Sequence, residues 1–193
     1  MGGTKSGAAT AALAEIRAGI LDIVWPTGSE RFTIYPESGK KSGQGNGVRP
    51  IRDAFVFAMS ERGWQPESPF PLPSPKGAAT LGATDLTKML DDGPFLVEWE
   101  TGNISSSHRS MNKMGLALQH RVAIGGVLIV PSTRLARYLT DRIGNDRELQ
   151  PYIPFWSAIN VERGYLGIMV VEHDDESVDV PRIKKGTDGR ALR

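Results

Sequence analysis

Residues 94–130 read PFLVEWETGNISSSHRSMNKMGLALQHRVAIGGVLIV, and three periodicities follow one another within them. From Pro94 to Glu100 the chain alternates: Phe95, Val97 and Trp99 share one face of a strand, and Leu96, Glu98 and Glu100 share the other. Ser105 or Ser106 then caps a helix. Its buried stripe is Met111, Met114, Gly115, Leu118 and Val122. Ile124 to Val130 is a continuous apolar run with β-branched residues, the composition of a strand buried on both faces. Strand, helix and buried strand in succession predict an α/β fold.

The flanking sequence extends this pattern. Leu13, Ile16, Ile20, Leu21 and Val24 recur at helical spacing, so a helix is expected over 10–24. Phe32 to Tyr35 reads as a short strand, and residues 38–48 (SGKKSGQGNGV) as a glycine-rich basic loop. That loop lacks the Gly-Lys-Ser/Thr ending of a nucleotide phosphate loop. Pro50 opens a helix with Ile51, Phe55, Ala58 and Met59 on one stripe and Gly63 as its stop. Residues 66–75 (PESPFPLPSP) hold five prolines and are expected to form a stiff connector without regular structure. A short strand is expected over 80–86. A helix capped by Ser132 should run with Leu135, Leu139 and Ile143 inward to Gly144, and 153–161 and 165–172 should be strands. Helices interleaved with core strands give a central mixed β-sheet sandwiched by α-helices.

With 193 residues and 39% hydrophobic composition, the chain is expected to form one domain over 1–193, with 1–9 and 182–193 as flexible tails. There is no cysteine, which excludes disulfides, thiolate metal sites and cysteine nucleophiles and suits a reducing cytoplasm. The three histidines (His108, His120, His173) form no zinc-binding spacing. The longest apolar stretch, Val122 to Val130, is nine residues, too short to span a bilayer. The N-terminal stretch has no secretory pattern, because Glu15 and Asp22 interrupt any apolar core. A cytoplasmic protein with no membrane partner is therefore expected.

Net charge is +1, but its distribution is uneven. Residues 38–52 carry four cations (Lys40, Lys41, Arg49, Arg52) and no acid, and residues 101–140 carry five (Arg109, Lys113, Arg121, Arg134, Arg137) and no acid. Between them, residues 85–100 hold five carboxylates and one lysine. An acidic knot between basic segments suits a phosphodiester-cutting site, with carboxylates for a metal and cations for a polyanion. A chance arrangement of solvated charge gives the same pattern.

Glu98 and Glu100 project together from one strand face while Trp99 anchors the other in the core. Two close carboxylates repel one another unless solvent or a cation intervenes. A third carboxylate from a neighbouring strand end, Asp85, would complete an oxygen set suited to magnesium. Taken alone, Glu-X-Glu on a strand is more commonly a solvated face, and an aspartate in Asp85's place a turn residue or helix cap.

The continuation from Glu98 to Met114, EWETGNISSSHRSMNKM, resembles the type II restriction endonucleases of the BamHI/BglII group, within the PD-(D/E)xK nuclease superfamily, which cut palindromes centred on GATC. In that group an aspartate precedes, by a variable gap, a strand carrying Glu-X-Glu or Glu-X-Gln, followed by a polar turn and a helix directed at DNA. Glu98 and Glu100 match the strand pair, and Asp85 stands thirteen residues before Glu98, within the group's range of gaps. Asp91 and Asp92 compete for that role but read better as a turn with Gly93. The resemblance implies a restriction-endonuclease-like fold and a metal held by Asp85, Glu98 and the Trp99 carbonyl. Magnesium, one or two ions per subunit, is implied, with Glu100 activating or positioning water. It implies DNA contacts by Asn103, Ser105 and Arg109, the last with the bidentate fit of guanidinium to guanine. Lys113, one turn on, is read as a phosphate contact or a solvated lysine. Asp141 and Arg142 match an Asp-Arg pair that one branch keeps for guanine–cytosine steps. They could equally end a helix, and Asn145, Asp146 and Arg147 compete for the role.

The wider superfamily usually places lysine where Glu100 stands; the BamHI branch has glutamate there. A palindromic target implies double-stranded DNA bound by a homodimer, with the helix 106–120 as the candidate contact, and a cognate DNA methyltransferase in the same cell. The rivals are a DNA-binding protein of the same fold that does not cleave, a carboxylate-pair sugar hydrolase, and a repair nuclease of the same fold.

Overall fold

The computed structural model describes residues 7–41, 43–70, 72, 76–77, 81–140, 143–159, 161 and 164–185. Helix α1 (Gly7–Leu21) leads through β1 (Thr33–Ile34) to α2 (Arg49–Ser60). The chain then passes through β2 (Gln65–Ser68), β3 (Thr84–Leu90) and β4 (Gly93–Trp99) into α3 (Ile104–Gln119). Strand β5 (Gly125–Pro131) is followed by α4 (Thr133–Ala136), α5 (Asp146–Leu149), a 3-10 turn (Gln150–Tyr152) and α6 (Ile153–Ser157). Strands β6 (Tyr165–Val171) and β7 (Asp175–Glu176) complete the described chain.

Five strands form one mixed sheet in the order β2-β3-β4-β5-β6. The β3–β4 pair is antiparallel, closed by the Asp91-Asp92-Gly93 turn, while β4–β5 and β5–β6 are parallel. Strands β1 and β7 pair separately as a parallel two-stranded ladder. The expected α/β sandwich with a mixed sheet is the observed architecture.

The alternation read from residues 95–99 divides the core. Phe95, Val97 and Trp99 join Val127 and Ile129 of β5 under α1 and α2, through Ile16, Phe55 and Met59. On the other face Leu96, Leu128 and Val130 meet Met111, Met114 and Leu118 of α3 and Trp156 of α6. Fully burying a side chain of this size stabilises the fold by about 1.5–3 kcal/mol, so each face is secured by its own cluster. Close approach of α3 to the sheet needs Gly126, where an added Cβ would stand 2.8 Å from Met114 Sδ.

Several expectations are corrected. The proline-rich segment is regular at its start: residues 65–68 form edge strand β2, antiparallel to β3 with Pro66 opposite Leu86. An edge strand tolerates a proline because one row of its backbone donors needs no ladder partner. Glu67 there has φ 49°, which twists the edge. The third-strand boundary shifts from 80–86 to Thr84–Leu90. The helix after Ser132 stops at Ala136 and does not reach Gly144. Fully buried Asn46 competes for that backbone: its amide N–H bonds Tyr138 O at 2.7 Å, and its carbonyl accepts from Thr140 N at 2.9 Å. Residues 153–157 are helix α6, not strand, with Pro154 in the first turn, where its missing N–H costs nothing.

Of the segments expected as flexible tails, residues 1–6 and 186–193 lie outside the described residues, and the described parts are packed. Gly7 to Ala9 belong to α1, and Ala9 is buried. Ile183 is 2% exposed; its N–H donates to Asn46 Oδ1 at 3.0 Å, and its carbonyl accepts from Gly47 N at 2.9 Å. Arg182 pairs with Glu37 at 2.8 Å. Beyond β6, the buried His173 ring lies between Glu172 (2.7 Å) and Glu176 (3.0 Å). Hydrogen bonds from His173, Tyr138 and Arg134 hold the Glu176 carboxyl down to about 2.

Asn46 thus ties three segments: its Nδ2 donates to Tyr35 O and Tyr138 O at 2.8 and 2.9 Å, besides the bond accepted from Ile183. Asn46→Ala leaves these buried groups unpaired and should lower the unfolding free energy by about 3–5 kcal/mol, read from the urea midpoint at unchanged m-value.

Candidate active site

Strands β3 and β4 deliver the acidic side chains to one end of the sheet. Asp85 is the second residue of β3, and Glu98 and Glu100 lie at and just beyond the end of β4. Asp85 turns toward β4: its Oδ2 accepts a hydrogen bond from the Trp99 amide at 2.7 Å. Trp99 itself packs on Phe55, ring centroids 4.9 Å apart, so one residue's ring is locked in the core while its backbone holds Asp85.

The charge of Asp85 is felt by both glutamates, and that of Glu100 by Glu98. Burial pushes the Glu98 carboxyl up to about 7; Lys113 opposes this, and the charges of Asp85 and Glu100 reinforce it. Burial also raises Glu100, against hydrogen bonds from Ser107 and the Gly102 amide and the charge of Arg109, with Asp85 again raising it. Mutual repulsion of this kind marks an electronegative cluster that a divalent cation would relieve.

Each carboxylate nonetheless has a partner. Arg52 Nη2, from α2, lies 2.6 Å from Asp85 Oδ1 and 2.7 Å from Glu67 Oε1, and Nη1 lies 3.1 Å from Asp53. These acids push the guanidinium well above its usual range, against the cost of burial. Lys113 Nζ forms an ion pair with Glu98 Oε1 and donates to Ala83 O at 2.7 Å. Glu100 Oε2 accepts from the Ser107 hydroxyl, and Oε1 from the Gly102 N–H at 2.6 Å. Among the described residues no three His, Asp or Glu side chains stand close enough to cage a metal. The donor set is nevertheless all oxygen, and hard ions of the magnesium type take one or two carboxylates and complete their shell with water. The residues present fit such an ion.

The helix beyond the turn presents a second set of groups. Asn103 caps α3, its Oδ1 accepting from Ser105 N at 3.0 Å, while Asn103, Ser105 and Arg109 are all exposed. Lys113 is not on that face. It is buried, ion-paired inward and 5.6 Å from the Phe70 ring, so the expected phosphate contact or solvated position does not describe it. Asp141 and Arg142 lie outside the described residues. Of their competitors, Asn145 caps α5 and Asp146 is bonded to Thr133. The sequence reading missed Arg52 and Ser107 as site residues. Arg52 appeared only as one cation of a basic run, and Ser107 only as one of three consecutive serines.

A mixed sheet carrying an acidic Glu-X-Glu strand end, with a helix leading away from it, is the frame of a nuclease of the restriction-endonuclease-like fold. A model of the family described as restriction endonuclease BamHI matches residues 2–190. The type II restriction enzyme OkrAI of Oceanobacter kriegii is 45% identical over 181 residues, covering 94% of this chain and 89% of that protein. The type II restriction enzyme BamHI of Bacillus amyloliquefaciens is 34% identical over 187 residues, covering 93% of this chain and 82% of that protein. The chain belongs to the BamHI family of restriction endonucleases and is an enzyme of the type II restriction class.

The buried Glu98–Lys113 pair generates a stability prediction. Glu98 titrates near 7 in the folded chain, against an ordinary value of 4.5. Between those values the folded chain keeps a proton that the unfolded chain has released, so stability falls as pH rises through this window. Measured in EDTA, Glu98→Gln should gain roughly 3 kcal/mol on the parent between pH 4.5 and 8. Lys113→Met leaves Glu98 without its partner and should cost roughly 3 kcal/mol at pH 8, much of it restored in the double variant with Glu98→Gln.

Proposed function

We propose that this chain is a magnesium-dependent endonuclease that hydrolyses phosphodiester bonds in double-stranded DNA at a GATC-centred palindrome. The observation that supports the catalytic part is the placement of Asp85 at the start of β3 beside Glu98 and Glu100 at the end of β4, with Asp85 Oδ2 2.7 Å from the Trp99 amide. The target sequence rests on the family resemblance of residues 98–114.

In this reading Asp85 and Glu98 hold the ion, with the Trp99 carbonyl as a further ligand, one or two ions serving each subunit. The ion's chemistry is to neutralise charge on the scissile phosphate and lower the pKa of a bound water. Glu100, raised by burial, is suited to take a proton from the attacking water or to orient it. Ligand and base sit two residues apart on one strand face, so the backbone fixes their separation. Asn103, Ser105 and Arg109 contact the duplex in this reading, which their exposure in the turn and first turns of α3 supports. Arginine can read guanine and asparagine adenine through paired hydrogen bonds. Asp141 and Arg142 remain assigned to guanine–cytosine steps by resemblance alone.

A palindrome calls for a homodimer, each subunit cutting one strand. The face of α3 over 106–120 is the proposed contact. Leu116 on α3 is 39% exposed and Phe155 of α6 65%, in a region where Tyr152 packs edge-on against His108 with centroids 4.2 Å apart. Among the described residues no helix is long and apolar enough to cross a membrane. A cytoplasmic location and a cognate methyltransferase complete the proposal.

Digestion of a sequenced plasmid tests it. With magnesium, discrete fragments bearing identical termini within GATC-centred sites are expected, and none with EDTA or with calcium alone. Glu98→Ala should reduce the cleavage rate by at least about a thousandfold, because it removes a metal ligand and with it several kcal/mol of transition-state stabilisation. A smear, or fragments unaffected by EDTA, would overturn the reading; sequence-selective binding without cleavage would favour the non-cleaving DNA-binding protein.

A further inference from the structure

Helix α3 has two functional faces. The exposed one carries Ser105 and Arg109, with Asn103 as its cap. The buried one carries Ser107 and Lys113, 0% and 6% exposed, and these two polar side chains reach back under the sheet end. Ser107 donates its hydroxyl proton to Glu100 Oε2, while Lys113 pairs with Glu98 Oε1 and with the carbonyl of Ala83, two residues before Asp85. Each glutamate of the Glu-X-Glu pair is therefore gripped by a different turn of the same helix.

The packing around Ser107 leaves it little freedom. Gly144 passes so close that a Cβ there would stand 2.7 Å from Ser107 Oγ, and the Gly144 amide donates to Gly102 O at 3.0 Å. The Gly102 amide in turn holds the other oxygen of Glu100. A carboxylate bonded through both oxygens to donors with no room to move has one orientation, which is the condition for a precisely placed base. For Glu98 the ion pair engages Oε1 alone and so draws that oxygen toward α3; partners behind a metal ligand orient it in this way.

We propose that Ser107 and Lys113 are positioning residues for Glu100 and Glu98, and that α3 thereby couples contact at its exposed face to the geometry of the two carboxylates. The inference rests on the nuclease reading of this site. A rigid helix that touches DNA on one side and grips the carboxylates on the other transmits any shift of its axis directly to them. Mispaired DNA contacts would then cost cleavage rate as well as affinity.

The test separates this from a structural role. Single-turnover cleavage of the plasmid site in magnesium is compared with affinity for the same fragment in calcium, for the parent, Ser107→Ala and Ser107→Thr. Ser107→Ala should slow cleavage about tenfold or more with affinity unchanged within twofold, and Ser107→Thr, which keeps the hydroxyl, should recover most of the rate. Terbium binding, read through luminescence sensitised by Trp99, should weaken about 10–100-fold in Lys113→Met. Parental cleavage by Ser107→Ala, or a rate loss matched by an equal loss of affinity, would overturn the role of Ser107. Tighter terbium binding by Lys113→Met would mean that lysine competes for Glu98, overturning the role of Lys113. Glu98→Ala serves as the reference: if it still cleaves, the nuclease assignment of the site fails; if it is inactive while Ser107→Ala is fully active, only the positioning inference does.

Discussion

The register of β4 between its two neighbours is the constraint from which both the core and the site follow. Trp99 pairs with Ile129 across the parallel ladder, and its ring packs on Phe55. Because strand side chains alternate, fixing the Trp99 ring in one core cluster forces Glu98 and Glu100 to the opposite face. A slip of one residue would turn both carboxylates toward α1 and α2, away from Lys113 and Ser107, and drive the tryptophan into their place beneath α3. Apolar burial on one face thus determines where charge may collect on the other.

That collection of charge is expensive to maintain. Glu98 and Glu100 are buried, and desolvation is the largest influence on each. The fold meets this cost with two kinds of partner. Asp85 and Glu98 face full cations, Arg52 and Lys113, whereas Glu100 is met by neutral hydrogen-bond donors and only the more distant charge of Arg109. The division follows the roles proposed for them: groups that hold an ion have a resident countercharge, and the group that handles a proton sits among dipoles.

How legible this was from the sequence varies with the range of the forces involved. The strand–helix–strand reading of residues 94–130 rests on local periodicity, and the structure follows it to within a few residues. The chain after Ser132 did not follow its own apolar spacing. Leu135, Leu139 and Ile143 are all buried, yet the helix ends at Ala136 because Asn46, ninety-two residues away from Tyr138, takes over the backbone there. At 153–161 a run containing Ile153, Phe155 and Trp156 suggested a strand, but only Trp156 of the resulting helix is buried. Lys113 reads from its helix alone as a phosphate contact or a solvated lysine, since its partner Glu98 lies fifteen positions back on another element. The acidic trio could be found by motif and face, but the groups that neutralise it come from α2 and α3. No periodicity records that pairing.

Strand β2 has a consequence beyond its part in the sheet. Its residues Gln65 to Glu67 are exposed, Pro66 offers no donor, and Glu67 is left-handed. An outermost strand so interrupted is a poor template for intermolecular β-addition, so a sheet built around the wholly apolar strand β5 is shielded on this flank from amyloid-like growth. Pro66, the first proline of the run that reads as irregular in the sequence, is in the folded chain a break in the edge that a second copy would need for stacking strand to strand.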